Sequence, residues 1–169
     1  TVLAVPVANP LAFERFHRFT QDQHGLVDLD IVFPGKPSGT ITQQVAWTIS
    51  ENVLSRVDHL VEYHSGGVGG RIQHRVDCDP MSPKALRAKM KTMAKVFGSG
   101  IVQEIPEPHG SASSYAISCG IPAFHVEIGG SYLPREMHRR FHMLLSNGTR
   151  NILKFLKMIP GKPVFPKRQ

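Results

Sequence analysis

Pro122-Ala123-Phe124-His125-Val126-Glu127-Ile128-Gly129-Gly130 is an apolar run that carries one carboxylate near its end and then breaks into two glycines. Such a run, bounded by turn residues, predicts a buried strand. Glu127 then falls at the C-terminal end of the strand, the rim where open α/β sheets place their ligand crevices. His59-Leu60-Val61-Glu62-Tyr63-His64-Ser65-Gly66-Gly67 has the same logic: a strand-like run ends in one functional side chain before a glycine pair. A Glu and a His at two strand ends form part of a metal-hydrolase site. They are not all of one.

Outward from these segments, strands alternate with helices. Thr1 to Val7 is strand-like, and 10–19 predicts a helix with Asn9 as N-cap and Pro10 at the first position. Residues 24–38 are irregular, with a turn at Phe33-Pro34-Gly35. Val45, Ile49, Val53 and Leu54 have helical spacing, which predicts an amphipathic helix over 42–56. After the strand to His64 comes a glycine-rich loop through Gly70. Ser82 and Pro83 open a helix to Phe97, stopped by Gly98, and 101–105 is a short strand. Residues 111–119 form a short helix ended by Gly120. A long helix covers 134–158, with Asn147-Gly148 as a point of interruption. This order predicts an α/β layered domain with a mostly parallel (mixed) central sheet flanked by helices. The domain is expected over 1–159, and 160–169 reads as a linker or tail.

Length and composition fit one domain with a real core: 169 residues, 41% hydrophobic and 20% charged. No stretch approaches the roughly 20 apolar residues of a membrane span, and no signal-peptide pattern is visible. Cys78 and Cys119 lack CxxC spacing, which suits reduced thiols and a cytoplasmic setting. The formal charge of +7 is partly gathered at Lys84, Arg87, Lys89, Lys91 and Lys95, at Arg135, Arg139 and Arg140, and at Lys162, Lys167 and Arg168. These groups are not interleaved with aromatics and form no reader motif. A solvated basic face, or attraction for anionic substrates, is expected rather than nucleic-acid binding. The chain opens without Met in a strand-like run and closes on Pro160-Gly161-Lys162-Pro163. Both ends read as cut, so the chain is expected to be a piece of a longer protein.

Five positions are candidates for chemistry. His64 beside Gly66-Gly67 has room for a metal or substrate, the alternative being a packed or surface His. There is no HExxH and no Cys/His cluster, so a zinc set cannot be assembled locally. A carboxylate in an apolar strand is normally paired or functional, so Glu127 is either a general base or the partner of an Arg. Arg18 offers a fixed fork of donors for a carbonyl or carboxylate, or is simply solvated. Asp28 and Asp30 share one face of an extended segment, where they would meet a cation or an Arg, or stand as loop carboxylates.

Together these segments resemble the succinylglutamate desuccinylase/aspartoacylase family, relatives of the zinc carboxypeptidases. Val5-Pro6-Val7-Ala8-Asn9-Pro10-Leu11-Ala12-Phe13 is similar to its strand-plus-NPxAF element, with Arg18 at the expected distance. Asp28 to Gly35 resembles DLNRxFPG, Glu62 to Gly67 resembles DLHTGG, and Gly120 to Gly130 resembles GIPAxTVEIGG. The resemblance implies a zinc-dependent hydrolase that cleaves the amide of an N-acyl amino acid or a related small acylated amine. It implies His64 as the third zinc ligand, Glu127 as the proton shuttle between water and leaving amine, and Arg18 as the group that polarises the carbonyl. Asn9 and Asp30 fall on the substrate-binding side.

Two departures stand out. The other zinc ligands, from a GxHGxE motif, are expected upstream of Thr1. The family's Asn-Arg pair reads Asp30-Ile31, which removes a carboxylate clamp. The alternative function is therefore a non-catalytic member that acts as a binding or assembly module. Retention of Arg18, His64 and Glu127 favours the enzyme. The expected partner is a small acylated amine or amino acid, without nucleic acid or membrane, and a homo-oligomer is open.

Overall fold

The computed structural model describes residues 1–23, 25–106 and 108–164, and the chain falls into two units. One is Thr1–Glu62 with Glu107–Ala123, and the other is Tyr63–Pro106 with Phe124–Gln169.

In the first unit the expected opening strand does not form. A strand exists through its ladder, and no described strand pairs with this run, whose Val2, Leu3 and Val5 are exposed. Helix α1 (Pro10–Glu14) starts as expected, with Asn9 Oδ1 accepting from the Ala12 N–H at 3.1 Å. It is shorter than predicted because Phe16 turns to φ 51°, outside helical space. Strands β1 (Thr20–Asp22) and β2 (Gly25–Val27) pair antiparallel, partly inside the stretch read as irregular, and a 3₁₀ turn follows at Leu29–Ile31. Helix α2 (Ile41–Asn52) begins at a capping box of Thr40 and Gln43. Its most buried stripe is Thr42, Ala46 and Ser50, flanked by half-buried Val45 and Ile49. Small side chains let the helix approach β1 closely. Asp22 of β1 meets the α2 N-terminus, where its Oδ2 accepts from Thr42 Oγ1–H at 2.6 Å and from Thr42 N–H at 3.3 Å.

Most of the four-stranded sheet lies in the second unit, with residues 60–62 and Ala123 counted in the first. Strands β3 (Leu60–His64), β4 (Arg71–Cys78), β5 (Val102–Glu104) and β6 (Ala123–Gly130) lie in the order β3-β6-β4-β5. β4 and β5 run parallel, and β4 and β6 antiparallel. The α/β expectation holds, with a mixed sheet flanked by helices. β4 is an addition to the sequence reading. Arg71, Gln73, His74, Arg75 and Asp77 masked its alternation of Ile72, Val76 and Cys78. Strand β6 is buried at every position from Ala123 to Gly129, as fits a strand with neighbours on both sides. Helix α3 (Lys84–Phe97) packs on β4, β5 and α5 (Arg135–Phe155). The core between them includes Val76, Met90, Met93, Phe97, Phe124 and Val126, with Phe97 and Phe124 edge to face at 6.4 Å.

Helix α3 begins one residue later than Ser82 implied, because Ser82 Oγ donates to Asp79 instead of capping. The short helix α4 (Ala112–Ser118) belongs to the first unit and is capped by Ser111. No helix among the described residues is long and apolar enough to cross a membrane. Residues 165–169 of the expected tail, with Lys167 and Arg168, lie outside the described residues, while Val164 is held by Asn151 through two 2.8 Å hydrogen bonds.

Helix α5 continues through Asn147-Gly148, and Gly148 shows why the glycine is there. A Cβ at this position would come 2.5 Å from the Phe97 ring. Gly148→Ala therefore sets a propensity gain of about 1 kcal/mol against an overpacking cost of about 1–3 kcal/mol. We expect net destabilisation and a melting temperature a few degrees lower. A variant that melts at or above wild type would contradict this packing.

Asp22 generates a second test. Burial works to raise its pKa, but the hydroxyls of Thr42 and Thr40 and the N–H groups of Thr42 and Ile41 outweigh it and hold the carboxyl below its ordinary value. Hydrogen bonds to a charged group contribute roughly 1.5–3 kcal/mol. Asp22→Asn should lose stability of that order at neutral pH. The deficit should shrink as pH falls from about 4 through the lower folded value, since the unfolded carboxyl takes up its proton first. Urea unfolding across that range measures it.

Candidate active site

The register of β4 against β6 builds the polar centre of the second unit. Arg75 lies opposite Glu127, Val76 opposite Val126 and Asp77 opposite His125. Side chains alternate between faces, so Arg75 and Asp77 share one face with Glu127 and His125. Val76 and Val126 point the other way, into the core. The polar face carries two cross-strand pairs of opposite or hydrogen-bonding character. Arg75 Nε donates to both oxygens of Asp77 at 2.9 Å, and its Nη2 lies 3.9 Å from Glu127 Oε1. His125 Nε2 is 3.1 Å from Asp77 Oδ2 and 3.7 Å from Glu127 Oε1. The second oxygen of Glu127, Oε2, is buried and has no hydrogen-bond partner. Glu127 is thus both paired with an Arg and left with one unengaged oxygen.

His64 reaches this group from the neighbouring strand. Its ring stacks on that of His125 with centroids 5.1 Å apart and planes at 30°. The preceding Tyr63 serves the opposite face, its hydroxyl 2.7 Å from Thr149 Oγ1 and its ring against Phe97. The glycine-rich loop after β3 meets the end of β6 here. Ser131 N–H donates to Gly70 O at 3.0 Å, Gly69 N–H donates to Ser131 Oγ at 2.9 Å, and Ser131 Oγ–H donates to Gly67 O. Gly130 (φ 136°) allows the approach, because a Cβ there would overlap the Gly70 carbonyl oxygen.

The first unit carries the other candidates. Arg18 Nε donates to Asp28 Oδ2 at 2.6 Å, and its Nη2 lies 3.8 Å from Asp30 Oδ2, so the extended-face carboxylates do face an Arg. Asp28 is fixed in turn, with Oδ1 accepting the Asp30 N–H at 3.1 Å. Asn9 is used locally: beyond its cap it exchanges hydrogen bonds with Thr20 Oγ1 at 2.8 and 3.0 Å. Glu62 was not singled out in the sequence, yet it accepts from Ser113 Oγ–H at 2.7 Å and offers a donor atom within 4.8 Å of one from Asp30.

The candidates therefore form two groups. Arg18 and Asp30 are together in the first unit, His64 and Glu127 are joined through His125 in the second, and Asn9 stays at its helix cap. Arg75, Asp77 and His125 were missed. Only the X-Val-X alternation of Arg75-Val76-Asp77 and His125-Val126-Glu127 could have signalled two polar faces meeting. Asp77, His125 and Glu127 each present a donor atom within 4.8 Å of the others, a spacing that could hold a cation.

Comparison with known proteins gives the family. A model of the succinylglutamate desuccinylase/aspartoacylase catalytic domain matches residues 1–156. No curated protein matches the chain in sequence. Among solved structures, it is similar to a succinylglutamate desuccinylase/aspartoacylase from Rhodobacter sphaeroides (TM-score 0.80, 24% identity, covering 97% of this chain and 48% of that one). A succinylglutamate desuccinylase from Silicibacter sp. TM1040 is similar as well (0.82, 24%, 96% and 48%). So is the product-bound ectoine utilization protein from Ruegeria pomeroyi (0.81, 24%, 96% and 49%). At this identity the likeness is one of fold, and the chain spans about half the length of these proteins. With its catalytic-domain model matched over 1–156, the chain belongs to the succinylglutamate desuccinylase/aspartoacylase family.

Proposed function

We propose that this chain is the catalytic part of a zinc-dependent deacylase that hydrolyses the amide of an N-acylated amino acid or a related small acylated amine. The observation that carries this reading is Glu127 Oε2, a buried carboxylate oxygen with no partner on a strand otherwise fully packed. Buried polar atoms are normally satisfied, so an unengaged one is a place for a reacting group. Imidazole and carboxylate donors suit zinc. His64 would supply one ligand, and the others are expected from sequence preceding Thr1. When bound, zinc lowers the pKa of water and polarises a carbonyl.

This chain's own residues do the rest. Glu127 takes the proton of the attacking water on Oε2 and returns it to the leaving amine, while Oε1 stays near Arg75 and His125. Arg18 stabilises the charge that develops on the carbonyl oxygen, with Asp28 and Asp30 holding its guanidinium. Asp30 thus acts on substrate through Arg18, and Asn9 anchors the segment that leads to Arg18. Ile31 stands where a clamp for a substrate carboxylate is expected, so that carboxylate is absent or met elsewhere.

In the full-length protein, Glu127→Gln should lower kcat by about 10²- to 10⁴-fold, the span of a lost general base, with zinc content unchanged. His64→Ala should lose zinc. Metal analysis beside hydrolysis of N-succinyl-L-glutamate and N-acetyl-L-aspartate decides both. Full zinc occupancy in His64→Ala would remove the ligand assignment.

A further inference from the structure

We propose that His125 is a positioning residue: anchored by Asp77, it fixes the plane of the His64 ring beside the Glu127 carboxylate. The inference rests on the deacylase reading and goes beyond it, because that reading gives His125 no role of its own.

The geometry carries it. His125 is 8% exposed, and its Nε2 faces two carboxylate oxygens, Asp77 Oδ2 at 3.1 Å and Glu127 Oε1 at 3.7 Å. An ionised carboxylate can only accept, so Nε2 carries the proton and the hydrogen bond to Asp77 sets the tautomer. Asp77 cannot swing to follow another partner, because Arg75 Nε holds both its oxygens at 2.9 Å. The ring is therefore clamped at its edge, and its face is what His64 stacks against. One imidazole thus touches the proposed ligand and lies beside the proposed proton shuttle. The same trio could be read as a cation site of its own. Arg75 argues against that, since its guanidinium already supplies positive charge to both carboxylates.

Support of this kind is worth about 10- to 100-fold when removed from a metal site. In the zinc-loaded full-length protein, with N-succinyl-L-glutamate and N-acetyl-L-aspartate as probes, His125→Leu should lower kcat by about that factor. KM should stay at the wild-type value, and the loss in kcat should persist when the rates are compared at equal zinc occupancy. His125→Gln, whose amide can still donate to Asp77, should recover most of the loss. A kcat unchanged in His125→Leu, or a loss that follows zinc content alone, overturns the proposal.

Nitrogen-15 spectra of the histidine rings test the anchor without turnover. The wild type should show His125 protonated on Nε2, and Asp77→Ala should lose that preference. This readout also serves if His125→Leu does not fold. A wild type with the proton on Nδ1 overturns the anchoring. A wild type that turns over neither probe, nor an acylated amine that lacks the amino-acid carboxylate, overturns the deacylase reading and the role of His125 in it, while the tautomer still reports on the anchor.

Discussion

Glu127 lies on β6 with a strand on either side and apolar residues before and after it, where an isolated carboxylate would cost several kcal/mol. Arg75, directly across on β4, offsets that cost from 3.9 Å and is itself held by Asp77. The second unit is organised around this compensation. Removing one member of such a group is worse than never having built it, because it strands a buried charge. The polar face of the sheet therefore has to be kept or lost as a whole. Its members are a cation, an imidazole and two carboxylates on two adjacent strands.

Compensation of this kind demands a fixed register. A slip of one residue would turn Arg75 and Asp77 toward Phe97 and Phe124 and bring Val76 to the polar face. An irregularity between Ile72 and Arg75 sets the register for the inner half of the β4–β6 pair. At the outer end the glycine loops and Ser131 tie the ends of β3 and β6 to one another. Those ties leave the His64 and Glu127 ends of two strands fixed from both sides.

Much of this was legible in the chain. Apolar runs that stop at glycine pairs gave β3 and β6, and helix punctuation gave α3, α4 and α5 within a few residues. What escaped was β4, because its residues on one face are charged for the sake of Glu127. Its pattern makes sense only beside its neighbour. The opening run failed in the opposite way: Val2, Leu3 and Val5 have strand propensity, but propensity without a ladder forms no strand. His64, Glu127 and Arg18 were visible as residues. Their partners were not, because Asp77, Arg75 and His125 are joined across the sheet and not along the sequence.

The group in the first unit is organised differently, around Arg18. Its side chain is 60% exposed, and ion pairs this open to water add little to stability. Two carboxylates held on one guanidinium are then hard to explain as a fold-stabilising device. Asp28 is spent twice, one oxygen on Arg18 and the other on the Asp30 N–H, which locks the 3₁₀ turn that presents Asp30. Such a network restricts where the guanidinium sits. A restrained guanidinium has lost much of its rotamer entropy already, so meeting a further partner costs it less. The arrangement holds one guanidinium against two carboxylates on a single 3₁₀ turn, a restraint on its position that surface charge alone does not require.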